Sequence, residues 1–338
     1  MKFKNLFFLA ALGLTASATF TSCEDILGHW EKPTPVTPTP SGSEEGSVPG
    51  LLPGKFTINA SGDQVQFSQG NLQATYDGSE WTWKFAEHQW DYIGGTSSDT
   101  DPGATTNNKI NGNGTVSVNG TVDLFGWVGT TTSFADAPAI YGISNSATSD
   151  DYGTSTSDAL KSDWGKTIDP SGTTWRTLTG GTGGEWEWIL GPGSSPNPGT
   201  NCRTSSTIGS TANARFAKAK LFNTTYGIIL FPDSYTHPDG VADPTGINDT
   251  GNTSWGANTY SAADWEKMET AGAVFLPAAG YRNGTMALSV GSRGNYWSST
   301  ADGAGYAYCV GFNLSSMGPA VFDSRYRGFS VRLVRPAE

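Results

Sequence analysis

Cysteine, histidine and charge are all scarce in this chain of 338 residues. Three cysteines are too few for a disulfide framework. The three histidines, His29, His88 and His237, include no two at metal-ligand spacing, and no Ser-His-Asp set can be assembled around them. Charged residues make up 15%, and Asp and Glu outnumber Lys and Arg by 31 to 20. The net charge of −11 excludes binding to nucleic acid or to an anionic membrane through charge. No apolar run reaches the roughly 18 residues of a membrane helix. In contrast, the chain has 44 glycines, 12 tryptophans, 12 tyrosines and 16 phenylalanines. Aromatic residues spaced by Gly, Asn, Ser and Thr mean many turns and short strands.

The amino terminus reads as an address. Lys2 and Lys4 precede the apolar run LFFLAALGL, which has the length of a signal-peptide core. Small and polar residues then lead to Cys23, where a lipoprotein signal peptidase would leave a lipidated N-terminus. Phe20 replaces the usual Leu of the lipobox; the alternative is a plain secreted protein in which Cys23 is incidental. Residues 1–22 are thus expected as a signal peptide and 23–50 as a Pro/Thr/Ser tether (KPTPVTPTPSGSEEGSVPG), with a folded body over 51–338. This predicts an exported lipoprotein of a Gram-negative outer membrane, facing the cell surface and held by lipid alone. With Cys23 lipidated, Cys202 and Cys309 remain, and an oxidising compartment permits a bridge between them without requiring one.

Along the body, residues 55–75 alternate apolar and polar residues around Gly62-Asp63, predicting a hairpin. The aromatic stretch 81–93 and VDLFGWV at 122–128 supply core, and GIILF at 227–231 has the length of a buried strand. A short helix is expected at 157–164, and EWEWIL at 185–190 reads as a helical turn. The clearest helix lies within 261–271, with Ser261 as N-cap, Asp264 completing a capping box and Gly272 ending it. Short strands close the chain at 296–299, 306–312 and 329–334.

The ordered pieces FAEHQWDYIG (85–94), VDLFGW (122–127), WRTLT…EWEWIL (175–190), RFAKAKL…GIILFPD (215–233), DWEKMETAGAVFLPAAGYRNG (264–284), YWSST (296–300) and RGFSVRLVR (327–335) resemble the lectin-like fold shared with formylglycine-generating enzymes. They are more similar still to its paralogous surface-lipoprotein domains. The resemblance implies an α+β, C-type lectin-like domain with short strands, few helices and long loops. The ending also resembles the variable proteins of diversity-generating retroelements, in which fixed motifs flank a segment substituted at asparagine codons. Here that segment is 301–327. It has no Lys, Glu, Gln or Trp, a pattern compatible with diversification, with Met317 as a fixed position. The implied ligand-binding residues are Ala301, Asp302, Gly303, Gly305, Cys309, Gly311, Asn313, Gly318, Ala320, Phe322, Asp323 and Arg327.

Strand alternation would put Tyr308, Val310 and Phe312 in the core and Cys309, Gly311 and Asn313 on the outer face. No cofactor, metal site or catalytic residue is expected. The enzyme relatives use a cysteine pair near the C-terminus, and Cys309 has no second cysteine beside it. Glu185 and Glu187 flank Trp186 and point apart on a helical turn, unlike a glycosidase pair. Asp99, Asp101, Asp150 and Asp151 lack EF-hand spacing, and the glycine run 180–184 lacks the lysine of a phosphate loop. Three functions stay open: a lipoprotein displaying a face for an extracellular protein or glycan, an enzyme of the formylglycine-generating type, and a component of a surface or fimbrial assembly.

Overall fold

The alternating stretch near the start of the body folds as its pattern predicts. Strands β1 (Leu51–Thr57) and β2 (Gln64–Ser68) pair antiparallel, burying Leu52, Phe56, Val65 and Phe67. The computed structural model describes residues 50–94, 120–127, 163–169, 171, 174–192, 202–283, 286–303 and 305–338, all within one compact unit, Val48–Glu338. The expected signal peptide, Cys23 and the tether up to residue 49, His29, and the loop acids Asp99, Asp101, Asp150 and Asp151 lie outside the described residues. So does nearly all of the helix expected at 157–164. Its last two residues belong to a 3-10 turn, Trp164–Thr167, capped by Asp163.

Among the described residues the strands form five small sheets. Strand β15 (Val334–Pro336) adds to β2 and so joins the last residues to the first hairpin of the body. β3 (Leu72–Tyr76) lies between β4 (Trp81–Phe85) and β5 (Thr121–Val122). A four-stranded sheet takes the order β8-β6-β7-β9, with β6 (Phe216–Leu221), β7 (Thr225–Leu230), β8 (Thr259–Tyr260) and β9 (Val274–Pro277). β10 (Tyr281–Asn283) and β11 (Met286–Leu288) form a small hairpin. β12 (Arg293–Asp302), β13 (Tyr306–Asn313) and β14 (Met317–Ser324) form an antiparallel meander.

The α+β, lectin-like class expected from the motif order is corrected by these elements. Of the described residues, strand accounts for 39% and helix for 10%, with two short α-helices among them, so the fold is β-rich. The helices are α1 (Glu185–Leu190) and α2 (Ala262–Thr270), six and nine residues long. Both arise where local signals permit. The Ser261 hydroxyl accepts from the Asp264 amide while the Asp264 carboxylate accepts from the Ser261 amide, the capping box read in the sequence. Elsewhere the density of Gly, Thr and aromatic residues favours extended chain and turns.

Among the described residues, apolar side chains gather in three clusters, and buried arginines support them. Arg203, fully buried, pairs with Asp233 at 2.8 Å and also donates to the carbonyls of Ile189 and Phe231. Burial lowers its pKa to about 10. Arg332, also fully buried, donates to Asn71, to the Gln69 carbonyl and to Gln89. Gln89 in turn donates to Glu269 of α2, and the Asn71 amide reaches the Tyr296 hydroxyl at 3.3 Å. Tyr296 donates to the Pro277 carbonyl at 2.8 Å. This network bolts β12 to β9, and each buried charge in it has several partners, the condition under which such burial is tolerated.

Candidate functional site

The β12–β14 meander carries most of the residues singled out in the sequence, so its two faces decide what the site can be. Pairing places Tyr308 opposite Phe322, Cys309 opposite Val321, Gly311 opposite Gly318 and Phe312 opposite Met317. On the other flank Tyr296 faces Val310 and Trp297 faces Cys309. Paired residues share a face and neighbours along a strand alternate. One face therefore presents Tyr306, Tyr308, Val310 and Phe312, and the opposite face presents Ala307, Cys309, Gly311 and Asn313.

Burial does not follow one face from end to end. Val310, Phe312, Tyr296 and Met317 pack into the cluster built on β1, β2 and α1. Ala307, Cys309 and Trp297, from the opposite face, pack into the cluster of Leu72, Phe125 and Phe329. The sheet runs obliquely between two cores, and its faces exchange roles midway along β13. The uniform outer face expected from alternation is therefore corrected: Cys309 is 1% exposed, and Tyr308 emerges partly into solvent. Burial also pushes the Cys309 thiol well above its ordinary pKa. Cys202 is buried too, and both cysteines are free thiols.

Two surface regions result. At the β12–β13 tip lie Asp302, Gly303 and Gly305 with Tyr306, Tyr308 and Phe322. Tyr306 is 43% and Phe322 57% exposed, and their rings meet edge to face at 5.7 Å. The Tyr308 ring meets Phe322 at 6.4 Å. The Asp302 carboxylate beside Tyr308 pushes the phenol above its ordinary pKa, and a hydrogen bond between the two adds to the effect. The tip is held from below. Arg325, stacked 4.4 Å over Trp127, donates to the carbonyls of Tyr306 and Gly303. Trp127 and Trp297 donate their indole N–H groups to Ser298 and Phe125 carbonyls.

The glycine run after Trp175 has a role here that its sequence did not disclose. A Cβ on Gly180 would stand 2.4 Å from the Ser298 hydroxyl and 2.8 Å from the Tyr308 Cβ. At Gly181, where φ is +84°, it would stand 3.1 Å from the Tyr308 ring. The run is a ledge against which Tyr308 lies, and only glycine permits the approach.

On the opposite face lie Gly311, Gly318 and Asp323, with Arg327 just beyond β14 and Val321 exposed above the two glycines. The remaining expected residues are not free for a ligand in the way foreseen. The Asn313 side chain accepts from the Ser315 and Ser316 amides and so shapes the β13–β14 turn. Ala301 packs against the second core cluster. Ala320 sits half-buried at a bulge, where Pro319 and Ala320 together oppose Val310. Tyr306, Val321, Tyr281 and Arg293 were absent from the expected set; no local pattern marks them, because their exposure follows from the exchange of faces.

Other candidates resolve into supports. Glu185 receives both guanidinium nitrogens of Arg176 at 2.6 Å, and Glu187 accepts from the Gly183 amide. His88 bonds to Asp91 at 3.1 Å and stacks on Trp90. His237 lines an open hollow of about 610 Å³ with Tyr235, Ser206 and Asp243, its ring nitrogens within 3.2 Å of the Tyr235 hydroxyl and the Val241 carbonyl. Among the described residues no three His, Cys, Asp or Glu side chains gather as a metal site.

No protein-family model, curated protein or solved structure matches the chain. What the sheet can do follows from its own side chains. The tip offers aromatic rings and one carboxylate on a rigid base, a combination suited to contact with another molecule's surface.

Proposed function

We propose that the chain is an exported lipoprotein, anchored through Cys23, that displays the tip of the β12–β14 sheet as a binding face for an extracellular protein or glycan. The carrying observation is the exposed ring cluster of Tyr306, Tyr308 and Phe322. Clustered exposed aromatics on a soluble body mark interaction sites, because their burial on binding removes much apolar surface from water. The sequence adds the lipobox, the tether and the resemblance of segment 301–327 to retroelement variable proteins. Diversification of that segment calls for a near-copy of its coding sequence beside a reverse-transcriptase gene.

The test uses the full chain and a Tyr306→Ser/Phe322→Ser variant on glycan arrays and on surface proteins from co-resident cells. Binding by the parent and loss in the variant, with an unchanged melting temperature, supports the reading. Equal binding by both forms removes it. Radiolabelled palmitate incorporated by the parent and not by Cys23→Ser tests the anchor.

A second reading, a component of a surface assembly, draws on β14. Among the described residues it pairs with β13 alone, and it exposes Val321 and Phe322. Its edge is tied at Met317 to the Thr250 carbonyl, and the unpaired apolar stretch beyond it can add a strand from another chain. Concentration-dependent growth in light scattering favours this reading, and a monomer at all concentrations excludes self-assembly.

A further inference from the structure

Two arginines flank one tyrosine where the opposite face of the sheet opens. The guanidinium carbons of Arg293 and Arg327 stand 5.2 and 5.5 Å from the Tyr281 ring centre. Both approach a single oxygen of Asp323, Arg327 at 2.9 Å and Arg293 at 3.9 Å. The other Asp323 oxygen is taken by the Ser324 amide. The trio thus carries one net positive charge in a chain whose total is −11. Arg293 is 34% exposed and donates no side-chain hydrogen bond among the described residues, and Arg327 is 28% exposed with Asp323 as its partner. A guanidinium carries five donors, so most of this fork is unused.

The floor beside it is polar and incompletely paired. Asn295 follows Arg293 by two residues on β12 and faces Gly311. It is fully buried, and neither atom of its amide finds an oxygen or nitrogen partner; the Cys309 thiol next to it is a weak one. A Cβ on Gly311 would stand 3.4 Å from the Asn295 amide nitrogen. Glycine at both 311 and 318 leaves the ground beside the arginines low, crossed among the described residues by the Val321 methyls.

We infer that Arg293 and Arg327, aligned over Tyr281 beside the Gly311–Gly318 floor, receive the carboxylate of a small external ligand, the class to which sugar acids belong. Guanidinium forks match a planar carboxylate through two parallel hydrogen bonds, and Asp323 already shows the group these arginines accept. The Tyr281 ring keeps both cations in place before a ligand arrives, which lowers the ordering cost of binding. A small acid fits better than an acidic macromolecule, which the strongly negative chain repels at long range. The site uses none of the tip aromatics and stands independently of the function proposed for them.

The experiment titrates sodium glucuronate, glucose and inorganic phosphate into the full chain by calorimetry. Glucuronate is expected to bind saturably and glucose not at all. Arg293→Gln weakens glucuronate by about tenfold or more, the scale of a lost charge-assisted pair. Asp323→Asn strengthens it, because the internal competitor loses its charge. Arg335→Gln, which removes a cation paired with Glu338 elsewhere, leaves it unchanged. The opposite signs of the Arg293 and Asp323 variants separate binding from any loss of fold. No saturable glucuronate binding, equal binding by Arg293→Gln, weaker binding by Asp323→Asn, or phosphate binding as tight as glucuronate overturns the inference.

Discussion

Tyr308 and Phe322 stand directly opposite each other on β13 and β14, edge to face, yet Phe312 on the same face of the same strand is 1% exposed. The exchange of core between the two faces therefore happens within a few residues. It predicts unequal costs for one substitution type. Phe312→Ala removes a ring stacked on Tyr296 within the main core and is expected to destabilise by about 3–5 kcal/mol. Phe322→Ala is expected to stay within about 1 kcal/mol. Urea denaturation of both variants measures the difference, and similar losses would contradict the oblique sheet.

Gly180 gives a second test, since its backbone supports Tyr308 from 128 positions earlier in the sequence. Gly180→Ala places a methyl group 2.4 Å from the Ser298 hydroxyl and is expected to destabilise by about 1–3 kcal/mol. Adding Ser298→Ala removes the nearest clash and recovers part of that loss; the Ser298 and Tyr308 Cβ contacts keep recovery incomplete. Full additivity of the two changes in thermal melts would mean that the ledge does not touch the sheet as described.

What was legible in the sequence was local. Ser261 and Asp264 are three residues apart and cap α2 by themselves, and the Gly62-Asp63 turn joins two alternating strands that need nothing distant to pair. The faces of β13 were only half legible. Alternation correctly separates Tyr308, Val310 and Phe312 from Cys309, Gly311 and Asn313, but which side meets core depends on two clusters assembled from remote segments. Cys309 is buried because Leu72, Phe125 and Phe329 cover its end of the sheet, and nothing near position 309 announces them. The α+β expectation failed for a related reason. Motif order transferred a fold class, while among the described residues the helix-forming signals suffice for two short α-helices. Arg293 and Tyr281 could have been found only by knowing that residues 323 and 327 return beside them.

The free thiols allow a direct check on burial. Cys202 and Cys309 belong to separate parts of the fold and are unbridged. Iodoacetamide applied to the native chain without reductant is expected to leave both nearly unlabelled, because burial raises both thiol pKa values and blocks access. In denaturant, still without reductant, peptide mapping should find both fully labelled. Peptides containing residues 202 and 309 joined by a disulfide would refute the free-thiol arrangement, and rapid native labelling of Cys309 would refute its burial.

Glu269 supplies a pH test of the network that holds β12. Burial raises its carboxyl above the ordinary 4.5, against the lowering effect of the hydrogen bond from Gln89. The folded chain then holds this proton more tightly than the unfolded chain does. Its contribution favours folding at low pH and is lost as pH rises from about 4.5 through the raised value. Asp249 and Asp264 act in the opposite sense: hydrogen bonds from Thr253 and Ser261 lower their values, so their stabilisation is lost as pH falls below the ordinary 3.8. Whole-protein curves mix these effects, and Glu269→Gln isolates one of them. The amide keeps an acceptor for Gln89 and never ionises. The variant is expected to be at least as stable as the parent at pH 8. That advantage should shrink as the parent's Glu269 takes up its proton and vanish below about pH 4. Stability differences from urea melts across this range provide the measurement; a difference that grows on acidification would mean that Glu269 is stabilised as a carboxylate and that burial does not dominate at this position.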